Sequence, residues 1–220
     1  MSDAFRVLRL DDLEPEVGAD DSRWFRLRRD LDVGAFGINA YGADAGNRVI
    51  EEHDELGTAA GRHEELYLVL RGSARFELGD EERTLGTGEM VFVDDPAVRR
   101  GAIAGEDGTI VLVVGGTPGQ AYAVSPWEAA ADAYPHWRAG DVAKAVEILR
   151  SVADEHPHAG IVLYNLACAE TLEGDHDEAL GHLRRAIALE DRFRELASTD
   201  EDFDAVRDRP EFRELVQETA

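Results

Sequence analysis

The sequence predicts an α+β chain of two domains, a β-rich part over residues 1–120 and an all-helical part over residues 121–220. Three observations carry that division. Up to Gly119, short apolar runs alternate with Gly and Asp, as strands alternate with turns. Beyond Pro126, Ala, Leu, Glu and Arg recur at helical spacing. Within that second part, Gly140-Asp141 returns as Gly174-Asp175, 34 residues later. Strands first and helices afterwards, rather than interleaved, point to separate domains.

Strands are expected over Phe5–Leu8, Trp24–Leu27, Ala35–Tyr41, Arg48–His53, Leu66–Leu70, Ala74–Leu78, Glu82–Leu85, Met90–Val93, Arg99–Ile103 and Thr109–Val114. Gly72-Ser73 and Gly79-Asp80 supply turns between them. Leu66 to Leu70 is apolar at every position, the pattern of a strand covered on both faces. Met90 and Phe92 are expected in the core.

In the second part, Ser125-Pro126-Trp127-Glu128 reads as a helix start, with Ser as N-cap, Pro at N1 and Glu at N3. Pro135 falls inside the helix expected to follow and should break or kink it. Across the repeat, Ala145 corresponds to Ala179, Val146 to Leu180, Leu149 to Leu183 and Val152 to Ala186. Small residues sit where helices cross, and leucines fill the space between neighbours. The tail reads as a short helix, a polar turn around Asp200–Asp204 and a final helix from Pro210. The 34-residue period, with Leu163-Tyr164-Asn165-Leu166-Ala167 opening one helix and Asp177-Glu178-Ala179-Leu180 the next, resembles the tetratricopeptide repeat (TPR). That resemblance implies antiparallel helical hairpins, a C-terminal cap and a groove for a partner protein or peptide. Asn165 stands where many such repeats carry a peptide-binding asparagine. Lys144 is the only lysine, so a lysine-based clamp for acidic C-termini is not expected. Two repeats are fewer than a self-supporting array needs, so the helices should lean on the barrel, on their cap or on a second subunit.

Glu65-Leu66-Tyr67-Leu68-Val69-Leu70-Arg71-Gly72 resembles the strand that carries the metal-binding glutamate of cupins. Glu65 and Gly72 match the last two fixed positions of the family's first motif, Gly-x5-His-x-His-x3-4-Glu-x6-Gly. The His-x-His pair should fall in Thr58-Ala59-Ala60-Gly61, where no histidine stands. His53-Asp54-Glu55 resembles a displaced remnant of it, and His63 lies two residues before Glu65, on the same strand face. In the second motif, Gly-x5-Pro-x-Gly-x2-His-x3-Asn, Gly88 fits the start and Met90–Val93 the strand. Asp94 replaces Pro, Pro96 replaces Gly and Arg99 replaces the metal-binding His. The resemblance implies a double-stranded β-helix barrel that pairs into a homodimer, with its usual metal cage altered.

Three site readings stay open. An Arg–Glu pair can replace the metal as internal glue. A pocket for an anionic small molecule can use Arg99 with Glu65, Tyr67 and His63, since guanidinium binds carboxylate or phosphate in two-pronged fashion. A rearranged divalent-metal site can use His53, Glu55, His63 and Glu65. No nucleophile motif and no Gly-x-Gly-x-x-Gly nucleotide loop is present.

Net charge of −24 and a pI near 4.5 exclude a nucleic-acid or anionic-membrane surface partner. The longest apolar run, Ile110 to Val114, is too short for a membrane span, and the N-terminus has no apolar signal core. Cys168 is the single cysteine, which fits a reducing cytoplasm. The first functional reading is non-enzymatic, with no cofactor: a small-ligand-binding barrel joined to a helical protein-interaction or assembly module. The second is a divergent metal-dependent cupin enzyme of oxygenase or isomerase type.

Overall fold

The computed structural model describes residues 7–18, 21–58 and 60–217. Chain contacts divide it into two compact units. One runs to Leu56 and resumes over Gly61–Ala123; the other comprises Gly57–Ala60 and the chain from Val124 onward.

The first unit holds β1 (Glu16–Val17), β2 (Arg23–Phe25), a short helix α1 (Leu27–Leu31), β3 (Gly37–Ala43), β4 (Arg48–His53), β5 (Glu64–Arg71), β6 (Ser73–Leu78), β7 (Glu81–Gly86), β8 (Met90–Val93), β9 (Arg100–Ala104) and β10 (Thr109–Gly116). They form a six-stranded sheet, β1-β2-β3-β10-β5-β8, and a four-stranded sheet, β4-β9-β6-β7. From β3 to β10 the chain passes back and forth between the sheets. That winding is the jelly-roll or double-stranded β-helix arrangement. Tyr67, Val69, Phe76, Ala102 and Val111 share the core between the sheets with Ala43 and Val49. Gly72 turns β5 into β6 at φ 73°, and a Cβ there would meet Thr109 Oγ1 at 2.5 Å. A left-handed backbone against a neighbouring side chain leaves room for glycine alone.

Expected and observed strands agree closely from β3 onward, with two instructive exceptions. β9 starts at Arg100 instead of Arg99, and its inward residues are Arg100, Ala102 and Ala104. Met90 and Phe92, expected in the core, are 56% and 54% exposed. Their strand alternates as expected, but Val91 and Val93 face inward, and Met90 and Phe92 take the outer face. With Leu70 and the half-buried Leu66 and Leu68 they make an apolar outer face on the six-stranded sheet. At the β2–β3 end that face is covered by Leu10, Leu13 and Leu27 around Phe25 and Ala40. The four-stranded sheet instead carries ion pairs outside, Arg48–Glu77 at 3.2 Å and Arg75–Glu82 at 2.6 Å. Of the strand expected over Phe5–Leu8, Phe5 and Arg6 lie outside the described residues, and Val7 and Leu8 are not in a strand.

The second unit is helical: α2 (Pro126–Ala130), α3 (Tyr134–Arg138), α4 (Val142–Glu155), α5 (Gly160–Glu173), α6 (His176–Leu189), α7 (Arg192–Thr199) and α8 (Pro210–Val216). Ser125 precedes Pro126 at the start of α2 with extended backbone, though its hydroxyl makes no cap bond. α3 begins at Tyr134 after a single 3-10 turn, with Pro135 in its first turn, so the α-helical bonding is interrupted, though the chain stays right-handed, where proline predicts a break or kink. Gly174 ends α5 at φ 102°, the left-handed C-cap that lets α6 fold back at once. α5 lies at the centre. Val162, Leu163, Leu166, Ala167 and Cys168 are all buried, and it packs on both α4 and α6. An all-round apolar helix has no solvent face to spend on charge. Its one buried acid, Glu170, is held by Arg150 and by His182 Nδ1, each at 2.7 Å. Phe193, Phe203 and Phe212 from the tail close the core over Tyr164. Tyr164 donates to Asp200 Oδ2 at 2.6 Å, and the buried Cys168 thiol lies 3.8 Å from the same oxygen. Among the described residues no helix is long and apolar enough to cross a membrane.

Candidate functional site

Strand pairing brings the barrel's ionisable side chains together. Glu65 and Tyr67 are alternate inward residues of β5; Arg100 opens β9, where it is paired with His53 at the end of β4. Tyr67 donates to Glu65 Oε2 at 2.5 Å. Arg100 donates to the same oxygen from Nη2 at 2.7 Å and from Nε at 3.1 Å. Its Nη1 donates to the carbonyls of Val98 at 2.9 Å and Pro96 at 3.2 Å. Arg100 is fully buried. His53 Nε2 is 3.5 Å from both Glu65 Oε2 and Tyr67 Oη, and its Nδ1 is 2.7 Å from the Glu51 carbonyl. That carbonyl accepts, so Nδ1 carries a proton and Nε2 faces the cluster.

The electrostatics follow from these contacts. Burial alone would raise the Glu65 carboxyl. The hydrogen bonds of His53 and Tyr67, with the charge and hydrogen bonds of Arg100, outweigh it and hold the group at about 2. Burial would lower His53; its bonds to Glu65 and to the Glu51 carbonyl outweigh that and raise it above the usual imidazole value. Tyr67 is pushed far above the ordinary phenol range, by burial first and by the Glu65 charge second. At neutral pH the cluster holds a carboxylate, a guanidinium and a neutral phenol.

Of the residues singled out from the sequence, His53, Glu65 and Tyr67 meet directly. Glu55 lies at the edge. Its Oε2 accepts from the backbone N–H of Gly61 at 3.0 Å and of His63 at 3.3 Å, and its Oε1 is 4.0 Å from Arg100 Nη2. His63 is engaged in the loop. Its Nδ1 is 3.6 Å from Glu55, and its ring tilts against Tyr122 at 5.8 Å. A Cβ on Gly61 would sit 1.9 Å from that ring, so glycine is what lets His63 fold over it. Arg99 is corrected. It is 64% exposed and ion-paired to Glu52, outside the cluster. Arg100 takes the place expected for it, because a one-residue shift in strand register moves a side chain to the opposite face. Local hydropathy could not find it: Ile103, the bulkiest apolar residue of the strand, shares a face with Arg99, whereas the inward residues beside Arg100 are the small Ala102 and Ala104.

His53, Glu55 and Glu65 can present ligand atoms within 4.8 Å of one another, a donor set with the right chemistry for a divalent metal. The geometry does not fit one. Glu65 Oε2 already accepts three hydrogen bonds, two from a cation fixed by the wall. A metal at Glu65 would stand against the Arg100 guanidinium. A second such group, Cys168, Asp200 and Asp202, lies in the helical unit. Burial pushes that thiol far up, and Asp200 already holds Tyr164.

Solved cupin structures resemble the barrel. They cover about half of this chain. KdgF from Halomonas sp. is 18% identical over 49% of this chain and 90% of its own, with a TM-score of 0.40. A cupin 2 conserved barrel domain protein from Salinispora arenicola is 19% identical over 53% of this chain and 92% of its own, at 0.42. A sugar phosphate isomerase from the cupin superfamily of Silicibacter pomeroyi is 18% identical over 51% of this chain and 76% of its own, at 0.43. No family model matches the chain, and no curated protein matches it.

Proposed function

We propose that this chain is a non-enzymatic, small-ligand-binding cupin in which the Arg100–Glu65 ion pair stands in the metal's place. One observation carries the reading: Arg100, fully buried, spends Nε and Nη2 on Glu65 and Nη1 on two carbonyls. The guanidinium is thereby fixed as internal structure and is not offered to an anion. Arg99, paired outside with Glu52, gives an anionic ligand no anchor either.

We read the helical unit as a TPR-like module for assembly or for a partner protein. Three features support this. Gly140 and Gly174 both have positive φ, 34 residues apart. The helices α4, α5 and α6 each have 14 residues. Ala145, Ala179, Leu149 and Leu183 are fully buried at equivalent places. We also assign the outer face of the six-stranded sheet, around Leu70, Met90 and Phe92, to a second copy of the chain. With a net charge of −24, two copies repel nearly everywhere. The apolar part of this face, on a sheet edge at β8, is where they can approach with least of that cost.

Elemental analysis of protein purified without chelator or histidine tag tests the metal replacement. The expected result is no stoichiometric Fe, Mn, Zn, Ni or Cu, before or after reconstitution. About one metal per chain, lost on Glu65→Ala, would overturn it in favour of the second reading, a metal-dependent cupin enzyme using His53, Glu55, His63 and Glu65.

A further inference from the structure

We propose that the loop between β4 and β5 is a strap: its tip caps the central helix α5, its base is clasped by Glu55, and loosening either end loosens the other. The inference goes beyond the ligand-binding reading and does not rest on it.

The start of α5 creates the need. The first N–H groups of a helix have no partner within it, and a Ser, Thr, Asp or Asn just ahead of the first turn ordinarily supplies one. α5 has Ala159 in that place, which makes no side-chain cap. The Gly160 N–H donates instead to Thr58 Oγ1 at 3.0 Å, on a residue 102 positions earlier. The Thr58 hydroxyl in turn donates to Glu190 Oε1, at the C-cap of α6. Glu190 Oε2 accepts from Arg192 Nε at 2.8 Å, which fixes the carboxylate that receives the hydroxyl. Glycine at 160 is what admits this approach. A Cβ there would stand 2.8 Å from the Phe193 ring, 2.9 Å from Glu190 Oε1 and 3.4 Å from Thr58 Oγ1. In agreement, Gly57–Ala60 belong to the helical unit although barrel strands flank them in sequence.

The base of the loop is held as firmly. The largely buried Glu55 accepts through Oε2 from the N–H groups of Gly61 and His63, and so ties the two limbs together. Its own N–H donates to the Pro96 carbonyl at 2.9 Å. Thr117 Oγ1 donates to the Gly61 carbonyl at 2.6 Å. Arg62, inside the clasp, has a φ of 53°, a left-handed backbone that a side chain disfavours and that persists only where its surroundings enforce it. Between tip and base there is little slack. The stretch from Thr58 to Gly61 reaches at most about 11 Å, and the Ala60 N–H closes it into a turn on the Gly57 carbonyl at 3.0 Å. Movement of Thr58 is therefore passed to Gly61 and so to Glu55. Coupling of this kind is reciprocal. Whatever steadies the start of α5 also steadies Glu55, whose Oε1 is 4.0 Å from Arg100.

The test is amide hydrogen exchange of the full chain, read by NMR along α5, in the native protein, Thr58→Val, Thr58→Ser, Glu55→Ala and the double variant Glu55→Ala with Thr58→Val. Thr58→Val keeps the shape and removes the cap, so the α5 amides should exchange about fivefold faster, the effect of one lost helix cap on an opening equilibrium. Thr58→Ser keeps the hydroxyl and should exchange at the native rate. Glu55→Ala releases the base of the loop and should also speed α5, yet add nothing once Thr58 is valine. Native exchange in Thr58→Val would overturn the cap. A Glu55→Ala variant that leaves α5 unchanged, or that speeds it by the same factor with and without the Thr58 hydroxyl, would overturn the coupling.

Discussion

Removing the Arg100 side chain would leave the largely buried Glu65 carboxylate without its cation. Breaking one partner of a buried pair costs about 3–5 kcal/mol, because the remaining charge is uncompensated. Arg100→Ala should therefore unfold at markedly lower urea than the native chain, with an unfolding free energy reduced by about that amount. The double variant Arg100→Met with Glu65→Leu should recover most of the loss, as hydrophobic replacements of buried pairs commonly do. If the single and double variants unfold alike, the pair is not what holds this wall. Glu65 and Tyr67 were legible as strand neighbours from their spacing alone. Arg100 was not, because adjacent arginines at 99 and 100 differ only in face, and face is set by pairing across the sheet. Thr58 carried no signal either. Nothing around it in the sequence tells that its hydroxyl will meet a helix start 102 positions later.

At the scale of elements, β5 and β8 show the limit of reading strands by hydropathy. Leu66 to Leu70 is apolar at every position, which fits a strand covered on both sides. Within the chain only one side is covered: Tyr67 and Val69 are buried, and Leu70 is exposed. A continuous apolar strand with one open face is what the proposed pairing of two copies through this sheet would cover. Met90→Glu combined with Phe92→Glu should give a monomer by sedimentation or light scattering, with the barrel's circular dichroism unchanged. A native chain that is already monomeric at high micromolar concentration would refute that assignment. The helical elements were easier to read. Gly-Asp pairs fix both turns, and Pro135 interrupts its helix by local sterics, which need no knowledge of the neighbours. A strand's face depends on partners far away in sequence; a helix cap depends on four residues.

Over the whole molecule the acidity sets the conditions under which these parts can be studied. Forty-seven acidic residues against 23 Lys and Arg leave a strong self-repulsion that the compact state must bear. Raising NaCl from 10 to 150 mM shortens the screening length from about 30 to about 8 Å. Thermal midpoint and self-association should both increase over that range. A midpoint that falls with salt would mean that ion pairs such as Arg75–Glu82 and Arg48–Glu77 outweigh the repulsion. The same charge makes any titration with a cationic probe salt-sensitive, whether the contact is specific or not.

The position of Cys168 gives the protein a built-in reporter. The thiol is 2% exposed at the centre of α5, and burial together with the Asp200 carboxylate suppresses its thiolate. An alkylating or disulfide reagent meets no second sulfhydryl on this chain. The rate at which it consumes the one thiol is then the rate at which the helical unit opens, weighted by how often it does so. Without any label being engineered in, that single kinetic trace would report whether a partner seated on the helices holds them shut.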